Sequence, residues 1–283
     1  MTLNTSIKYV NVDWLKSNLN NYHILDFQPD VHDYIKEHIP GAVYINEQHF
    51  RCYIHNQPAA LVPAQIVETI LSQAGLNNSM PVVVYSGQGR FSHQGDGLEQ
   101  TMAAYSLARF GHKEIYILNG GIDSWIEAGY DLDQKFMAVT AKNYVTTVQS
   151  DFFVNYQQFI ELKKDPQSVL IDIRPHSVYQ GKSIWSKPGH IPGAINLPWR
   201  NFMSQSNALL LRPEHQIQEL ISEKNINPSQ TVVLYCGTGR EATCAFIVFK
   251  FVMNFPKVKI YEGSFTEWCA YENNESVTGS NPF

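Results

Sequence analysis

The chain carries two copies of one sequence pattern, and this internal repeat limits its fold more than any other feature. Four matched sets of residues occur in the same order in both copies, at separations of 143 to 152 residues. They are 38–42 (HIPGA) with 190–194, 82–90 with 232–240, 24–27 with 170–173, and Gly120 and Trp125 with Gly263 and Trp268. A shared order at so many positions is not expected by chance. The sequence therefore predicts a tandem duplication of a unit of ordinary domain size.

Short apolar runs alternate with helical stretches in each copy. The predicted strands are 23–27, 43–45, 82–85 and 115–118, then 169–173, 194–196, 232–235 and 258–261. The predicted helices are 63–74, 98–110 and 122–127, then 156–164, 213–224, 241–253 and 265–271. This alternation is typical of α/β domains, each with a mainly parallel sheet flanked by helices on both faces. We expect domains at 1–133 and 151–283, a linker at 134–150 and a frayed tail at 273–283.

One cysteine of the second copy stands where a buried strand ends and a helix begins. Residues 231–235 (TVVLY) suit a central strand, and Cys236 follows them, ahead of a Gly-Thr-Gly turn. Backbone N–H groups and the helix dipole favour an anion at such a junction. Together with the charge of Arg240, they predict a lowered pKa for the Cys236 thiol. A cysteine that only packs in a core needs no glycine-rich turn, so the stretch indicates a cradle for a negatively charged sulfur.

The first copy has Ser86 at the position of this cysteine. A nucleophilic serine needs a base and an oxyanion hole, and the Gly-x-Ser-x-Gly elbow is missing from the sequence. We therefore expect the second copy to carry the chemistry and the first to serve as a scaffold.

These motifs together resemble the tandem-domain rhodanese family, which includes thiosulfate and 3-mercaptopyruvate sulfurtransferases. The resemblance rests on the two HIPGA segments, the Asp172-x-Arg174 pair, the Cys-Gly-Thr-Gly loop and residues 262–268 (EGSFTEW). It implies two rhodanese-like domains, an inactive first and an active second, and a sulfane sulfur carried as a persulfide on Cys236. The loop residues that it assigns to the persulfide cradle and the substrate are Gly237, Thr238, Gly239, Arg240 and Glu241.

The resemblance also limits the substrates. The donor would be thiosulfate or 3-mercaptopyruvate, and the acceptor would be cyanide or a thiol, such as that of a thioredoxin-like protein. Thr238 matches a hydroxyl of the mercaptopyruvate enzymes, but Val178 stands where their carboxylate-binding arginine is expected. Arg240 could bind either donor as an anion, or could pair with Glu241 or Glu267 and stiffen the loop.

Two further positions are candidates for the site. Arg174 either anchors the loop by pairing with Asp172 or forms part of the rim. Glu47 is near the position of an acid that the resemblance implies, whereas Ala60 occupies the position of the accompanying histidine and His55 is only nearby.

Several other residues have structural or unassigned roles. His38 and His190 occur in both copies, which favours a role in the turns before Pro-Gly. Cys244 is expected to face the core. Trp185, Trp199 and Phe202 either roof the site or pack in the core, and Cys52 and Cys269 have no assigned role.

The composition excludes other classes. A net charge of −5 predicts no general affinity for nucleic acid or for anionic membranes. Four cysteines without paired spacing, no signal sequence and no long apolar run favour a cytoplasmic protein. No metal or organic cofactor is implied.

The residues by themselves leave two alternative functions to consider. A cysteine phosphatase or arsenate reductase needs an arginine six positions after the cysteine, where this chain has Ala242. A sulfur carrier or regulatory module without turnover would keep the fold, because fold does not fix function.

Overall fold

The computed structural model describes residues 5–55 and 57–283, which divide into two compact units. The first unit comprises the chain up to Arg51, then Leu61–Gln149 and Met203–Leu211; the second comprises Cys52–Ala60, Ser150–Phe202 and Arg212–Phe283. Segment 52–60, which lies in the first sequence repeat, therefore belongs by its contacts to the second unit.

The first unit contains a five-stranded parallel sheet in the order β1-β7-β6-β2-β3. Its strands are β1 (Ser6–Val10), β2 (His23–Asp26), β3 (Val43–Tyr44), β6 (Val82–Tyr85) and β7 (Glu114–Leu118). Its helices are α1 (Val12–Asn18), α2 (Val31–Lys36), α3 (Ala64–Gln73), α4 (Glu99–Arg109) and α5 (Gly121–Glu127). A separate two-stranded sheet, most of which belongs to the second unit by its contacts, pairs β4 (Arg51–Ile54) with β5 (Gln57–Leu61). The four residues of the central strand β6 are fully buried, as expected for a sheet covered by helices on both faces.

The second unit repeats this architecture in the order β10-β9-β11-β12-β8, again with parallel pairing. Its strands are β8 (Phe153–Val154), β9 (Ser168–Asp172), β10 (Ile195–Asn196), β11 (Thr231–Tyr235) and β12 (Val258–Tyr261). Its helices are α6 (Tyr156–Lys164), α7 (His176–Gln180), α8 (Glu214–Glu223), α9 (Arg240–Ile247) and α10 (Ser264–Ala270). α6 starts at a capping box, in which the side chains and backbone N–H groups of Asn155 and Gln158 bond reciprocally.

The central strands hold the repeated HIPGA turns in the same way in both units. The hydroxyls of Tyr85 and Tyr235, which end β6 and β11, each accept a bond of 3.1 Å from the backbone N–H of the isoleucine in the turn. His190 stacks on Tyr179 with ring centroids 3.6 Å apart, and His38 stacks on Tyr34 at 4.1 Å. Both histidines are buried, so the expectation that they serve the turns is confirmed.

Each predicted strand and helix overlaps an observed element, but seven of the α-helices and strands in the described residues were not predicted. These are β1, α1, α2, the β4–β5 hairpin, β8 and α7, all short or at a sheet edge. The predicted helix 241–253 is α9 followed by a π-helical segment, Val248–Val252.

The prediction of a frayed tail was wrong. His190 and Val277 exchange two backbone bonds of 2.9 and 3.0 Å, and the Gly193 N–H donates to Pro282 O at 2.7 Å. Tertiary pairing of the backbone thus fixes a polar segment that has no periodic pattern of its own. Within the described ranges, no helix has both the length and the apolar character needed to cross a membrane.

Candidate active site

Cys236 directly follows β11, at the carboxyl end of the central strand of the second sheet. Its side chain is in the core, and the residue is 1% exposed. Its backbone N–H donates to Ser264 Oγ at 3.2 Å, and its carbonyl accepts from the Phe265 N–H at 3.0 Å. Ser264 has a φ of +53°, a left-handed conformation that is uncommon for residues other than glycine, and its hydroxyl donates to Tyr261 O. The start of α10 therefore holds the backbone of the cysteine from both sides.

A tight turn places the start of α9 four residues after the cysteine. Gly239 has a φ of +84° and is the N-cap of α9, which begins at Arg240. A Cβ atom at Gly239 would lie 2.8 Å from the backbone oxygen of Glu262, so both its conformation and its space require glycine. The positive end of the α9 dipole is thus next to the Cys236 loop, as the sequence predicts.

A tryptophan and a threonine support the other side of the loop. Trp185 Nε1 donates to Thr266 Oγ1 at 2.8 Å, and that hydroxyl donates to Gly237 O at 2.8 Å. The Thr266 N–H also donates to Gly237 O, at 3.0 Å. A Cβ atom at Gly237 would lie 2.7 Å from Trp185 Cζ2, so the indole ring packs directly on this glycine. The sequence suggested that three aromatic residues either roof the site or pack in the core. Trp185 contacts the loop, whereas Trp199 and Phe202 are buried.

Arg174 is a buried cation beneath this loop. It is 1% exposed, and its Nε and Nη2 atoms donate to both carboxylate oxygens of Asp172 at 2.5–3.1 Å. Burial by itself would lower the pKa of Arg174. The hydrogen bonds and the charge of Asp172 outweigh burial, so the pKa of Arg174 is raised. The charge of Cys236 also raises it. Its guanidinium carbon is 4.0 Å from the Phe265 ring centroid. Its Nη1 atom has no hydrogen-bond partner in the described part of the chain.

The loop of the first unit has a different structure around Ser86. Fourteen positions after β6 ends at Tyr85, the next helix, α4, begins at Glu99, whereas α9 begins five positions after Tyr235. The Ser86 side chain is buried and donates to Phe27 O at 2.9 Å. The helix dipole that flanks the cysteine is therefore missing from the position next to this serine.

Carboxylates of the first unit bind the N–H groups of its own loop. Asp33 accepts from the N–H groups of Phe91 and Ser92, and Asp123 accepts from that of Gln88 at 2.9 Å. Tyr34 and Tyr179 occupy equivalent places, since each donates to the alanine carbonyl of its HIPGA turn. The position that matches Asp33 is therefore Val178, and Thr266 matches Asp123; neither residue carries a charge. The second copy therefore has no carboxylate at the two positions whose carboxylates bind the loop of the first copy.

The model of the Rhodanese-like domain matches residues 11–128 and 155–271. The chain belongs to the rhodanese family.

Several proteins similar in sequence to this rhodanese are described as sulfurtransferases. A putative thiosulfate sulfurtransferase of Synechococcus elongatus is 31% identical over 280 residues, which cover 94% of this chain and 83% of that protein. The 3-mercaptopyruvate sulfurtransferase of Rattus norvegicus is 26% identical, covering 87% of this chain and 81% of its own. The sulfur carrier protein TtuD of Thermus thermophilus is 24% identical and covers 92% of both chains. The rhodanese described here is a sulfurtransferase.

A solved structure supports the fold. The anaerobic ergothioneine biosynthesis enzyme of Chlorobium limicola, in complex with trimethyl histidine, has a TM-score of 0.84 at 20% identity. The match covers 96% of this chain and 70% of that one. At this identity the likeness concerns the fold of the two rhodanese-like domains alone.

The structure brings most of the predicted site residues of this rhodanese together. The loop residues and Arg174 all belong to the second unit, whereas Glu47 belongs to the first, where it is buried in a turn, Glu47–Phe50. Cys244 is fully buried, as predicted. Glu267 is one of the two glutamates that the sequence suggested as partners of Arg240. Its carboxylate accepts a hydrogen bond from Gln57 Nε2 at 2.8 Å.

Sequence reasoning left Trp185 open between a roof of the site and core packing, and it missed the support from Ser264 and Thr266. A comparison of the two copies beyond their identical letters would have indicated one of them. Thr266 aligns with Asp123 through the Gly263–Gly120 match, and the change of charge there marks the difference between the loops.

Proposed function

We propose that this rhodanese takes a sulfane sulfur from thiosulfate or 3-mercaptopyruvate onto Cys236 and passes it to cyanide or a thiol. The Cys236 thiolate attacks the outer sulfur of the donor and forms an S–S bond. With thiosulfate, the old S–S bond breaks and sulfite leaves with the electron pair; with 3-mercaptopyruvate, the C–S bond breaks and pyruvate leaves after protonation at carbon. The acceptor then attacks the terminal sulfur of the persulfide, and the Cys236 thiolate leaves.

One observation carries this proposal: the two loops differ in internal charge. The first loop has its N–H groups bound by Asp33 and Asp123, whereas uncharged residues stand at these positions in the second copy. Backbone donors at a helix N-terminus, with uncharged side chains at these two positions, favour an external anion or a persulfide. This supports an inactive first domain at 1–133, a linker at 134–150 and a catalytic second domain at 151–283.

The residues that follow the nucleophile would form the cradle. Gly237, Thr238 and Gly239 supply backbone donors, and Arg240 and Glu241 open α9, whose dipole stabilises the anion. We infer that Arg240 binds the sulfonate or carboxylate of the donor, since a guanidinium suits both.

Arg174 and Glu47 have proposed roles outside the loop. The buried charge of Arg174 acts on Cys236, and an opposite charge nearby favours the thiolate over the thiol. Glu47 would contribute to donor binding, as the family resemblance implies. A thioredoxin-like protein in the cytoplasm would be a suitable thiol acceptor.

The experiment is to weigh the protein after incubation with each donor in turn. Wild-type protein should gain one sulfur atom on Cys236 with at least one donor and lose it on addition of cyanide. Cys236→Ser should gain none, and Cys244→Ser, which changes a buried thiol outside the loop, should still gain one. If neither donor gives the adduct on intact, folded wild-type protein, the proposal fails.

A second function is favoured by the similarity to the sulfur carrier TtuD. In that case Cys236 would accept sulfur, but turnover with small acceptors would be absent. Steady-state sulfite release with cyanide or a dithiol distinguishes the two, because a carrier would stop after one turnover.

A further inference from the structure

Glu267 is a buried carboxylate in the first turn of α10. The residue is 7% exposed, and its Oε1 atom accepts a hydrogen bond of 2.8 Å from Gln57 Nε2 in β5. Both residues belong to the second unit by their contacts. A carboxylate is costly to bury and is kept in protein interiors where hydrogen bonds satisfy it. The proposed reaction assigns no step to this carboxylate, so its burial calls for another role.

The Glu267 side chain lies against the turn that precedes α10. A Cβ atom at Gly263 would overlap the carboxylate of Glu267, so this position has to be a glycine for the carboxylate to fit. The Glu267 N–H also donates to Gly263 O at 3.0 Å. Through its bond to the same carboxylate, Gln57 therefore ties the β4–β5 hairpin to the turn formed by Gly263 and Ser264.

The same turn holds the backbone of the nucleophile. Ser264 Oγ accepts from the Cys236 N–H at 3.2 Å, and the Phe265 N–H donates to Cys236 O at 3.0 Å. Ser264 has a φ of +53°, a left-handed conformation that a serine keeps only where the surrounding contacts impose it. A displacement of this turn would therefore disturb both hydrogen bonds to Cys236.

The first unit supports the matching turn with an amide side chain as well. Asn207 Nδ2 donates to Gly120 O at 3.1 Å, and Gly120 is the residue that matches Gly263. The next residue is Gly121, which has no hydroxyl to correspond to that of Ser264. An amide thus supports this turn in both units, but in the second unit the turn carries a side chain that binds the nucleophile.

We propose that Gln57 and Glu267 are positioning residues for Cys236. Their hydrogen bond fixes the turn at Gly263 and Ser264, which then holds the N–H and the carbonyl of the nucleophile. The inference rests on the proposed function and deepens it, because it gives the β4–β5 hairpin a part in the reaction. Since the two side chains act through the backbone of Cys236, their loss should slow sulfur transfer without weakening the binding of thiosulfate.

The test measures single-turnover persulfide formation on the whole protein, by rapid-quench mass spectrometry over a range of thiosulfate concentrations. Gln57→Leu removes the hydrogen-bond donor without changing the charge, and it should lower the rate at saturating thiosulfate by about fivefold or more. The thiosulfate concentration that gives half of this rate should stay within about twofold of the wild-type value. Gln167→Leu makes the same change at an exposed residue of the second unit and should leave both values unchanged.

An exchange of the two side chains tests the hydrogen bond itself. Gln57→Glu opposes two carboxylates and should slow the reaction at least as much as Gln57→Leu. Glu267→Gln keeps an acceptor oxygen for the Gln57 amide, and its rate should stay near that of wild type. The double variant Gln57→Glu/Glu267→Gln restores an amide–carboxylate pair with donor and acceptor reversed, so it should regain most of the rate that Gln57→Glu loses.

The proposal is overturned if Gln57→Leu keeps the wild-type rate, or if the double variant stays as slow as Gln57→Glu. It is also overturned if Gln57→Leu changes only the half-saturating thiosulfate concentration, since the hairpin would then act on donor binding.

A second readout separates this proposal from the proposed function. If wild-type protein forms no persulfide, the proposed function fails, but alkylation of Cys236 by iodoacetamide at neutral pH still tests the positioning. Its rate should fall in Gln57→Leu and not in Gln167→Leu, because a displaced loop stabilises the thiolate less. Equal alkylation rates in these two variants would overturn the proposal.

Discussion

Arg174 and Asp172 form a buried ion pair that has no counterpart in the first unit. Arg174 Nη2 lies 2.5 Å from Asp172 Oδ2, and both residues are almost inaccessible to solvent. The first unit has Asp26 and Gln28 at these positions, where an amide replaces the guanidinium and the Gln28 Nε2 donates to Asp26 Oδ2 at 3.0 Å. The unit with the cysteine thus has a fixed positive charge under its loop, and the unit with the serine has none from this position.

Replacing this cation should weaken both the fold and the nucleophile. Arg174→Gln copies the first unit but leaves the Asp172 carboxylate buried without its partner, which should cost about 3–5 kcal/mol of unfolding free energy. It should also raise the pKa of Cys236 and slow its alkylation by iodoacetamide at neutral pH. Urea unfolding and the pH profile of alkylation measure the two effects.

The double variant Asp172→Asn/Arg174→Gln is the control for stability. Because it removes both charges, it should recover much of the unfolding free energy but not the alkylation rate. Recovery of both would mean that the arginine acts on the cysteine only through the fold.

Introducing the carboxylate of the first copy into the second should inactivate the loop. Thr266→Asp places a negative charge beside Gly237 and offers an internal acceptor to the loop N–H groups, as Asp123 does for Gln88. A like charge close to the thiolate should raise the pKa of Cys236 and slow persulfide formation at least tenfold. Rapid-quench mass spectrometry with thiosulfate measures the rate, and Thr266→Ser, which keeps the hydroxyl, should stay near wild type. Equal rates in both variants would contradict the role assigned to the carboxylates.

The contact between Trp185 and Gly237 should be sensitive to a single methyl group. Gly237→Ala brings a Cβ atom to 2.7 Å from Trp185 Cζ2, so the indole must move and lose its bond to Thr266. We expect sulfite release to fall about tenfold or more, with a loss of stability of about 1–3 kcal/mol from overpacking.

A smaller ring should relieve that clash. The double variant Gly237→Ala/Trp185→Phe should regain more activity than Trp185→Phe loses by itself. If the loss of activity in the double variant equals the sum of the losses in Gly237→Ala and Trp185→Phe, the steric contact does not control the loop.

Asp26 should make stability depend on pH. Burial, as the largest cause, raises the pKa of Asp26 to about 7 in the folded protein, against the bonds from Tyr85 and Gln28 that lower it. The unfolded chain releases this proton near pH 4 and the folded chain only near pH 7, so the contribution of Asp26 is complete below pH 4 and is lost as the pH rises to 7. The loss amounts to up to about 4 kcal/mol.

Denaturant unfolding between pH 4 and pH 8 measures this dependence. Asp26→Asn cannot ionise, and its unfolding free energy should fall less than that of wild type over this range. Asp131→Asn, at a side chain that is 88% exposed, should keep the wild-type slope. A wild-type slope in Asp26→Asn would contradict the buried, protonated state.

The sequence by itself predicted the local structure around the nucleophile. A run of β-branched residues before Cys236 and two glycines after it predicts a strand, a tight turn and a helix, because these conformations depend on neighbouring residues. The repeat adds the domain count and the parallel sheets, and the serine at position 86 indicates which copy is active. These predictions needed no knowledge of distant contacts.

Contacts between remote segments decided the rest. Trp185, Thr266 and Gly237 are far apart in the chain, and no local pattern indicates that one hydroxyl joins them. The hairpin residue Gln57 and the carboxylate of Glu267 are 210 positions apart, so their bond arises only when the chain is folded. The order of the tail likewise comes from backbone bonds to the turn at His190. Packing and hydrogen bonding over such separations are set by the position of the backbone in space, which side-chain periodicity does not encode.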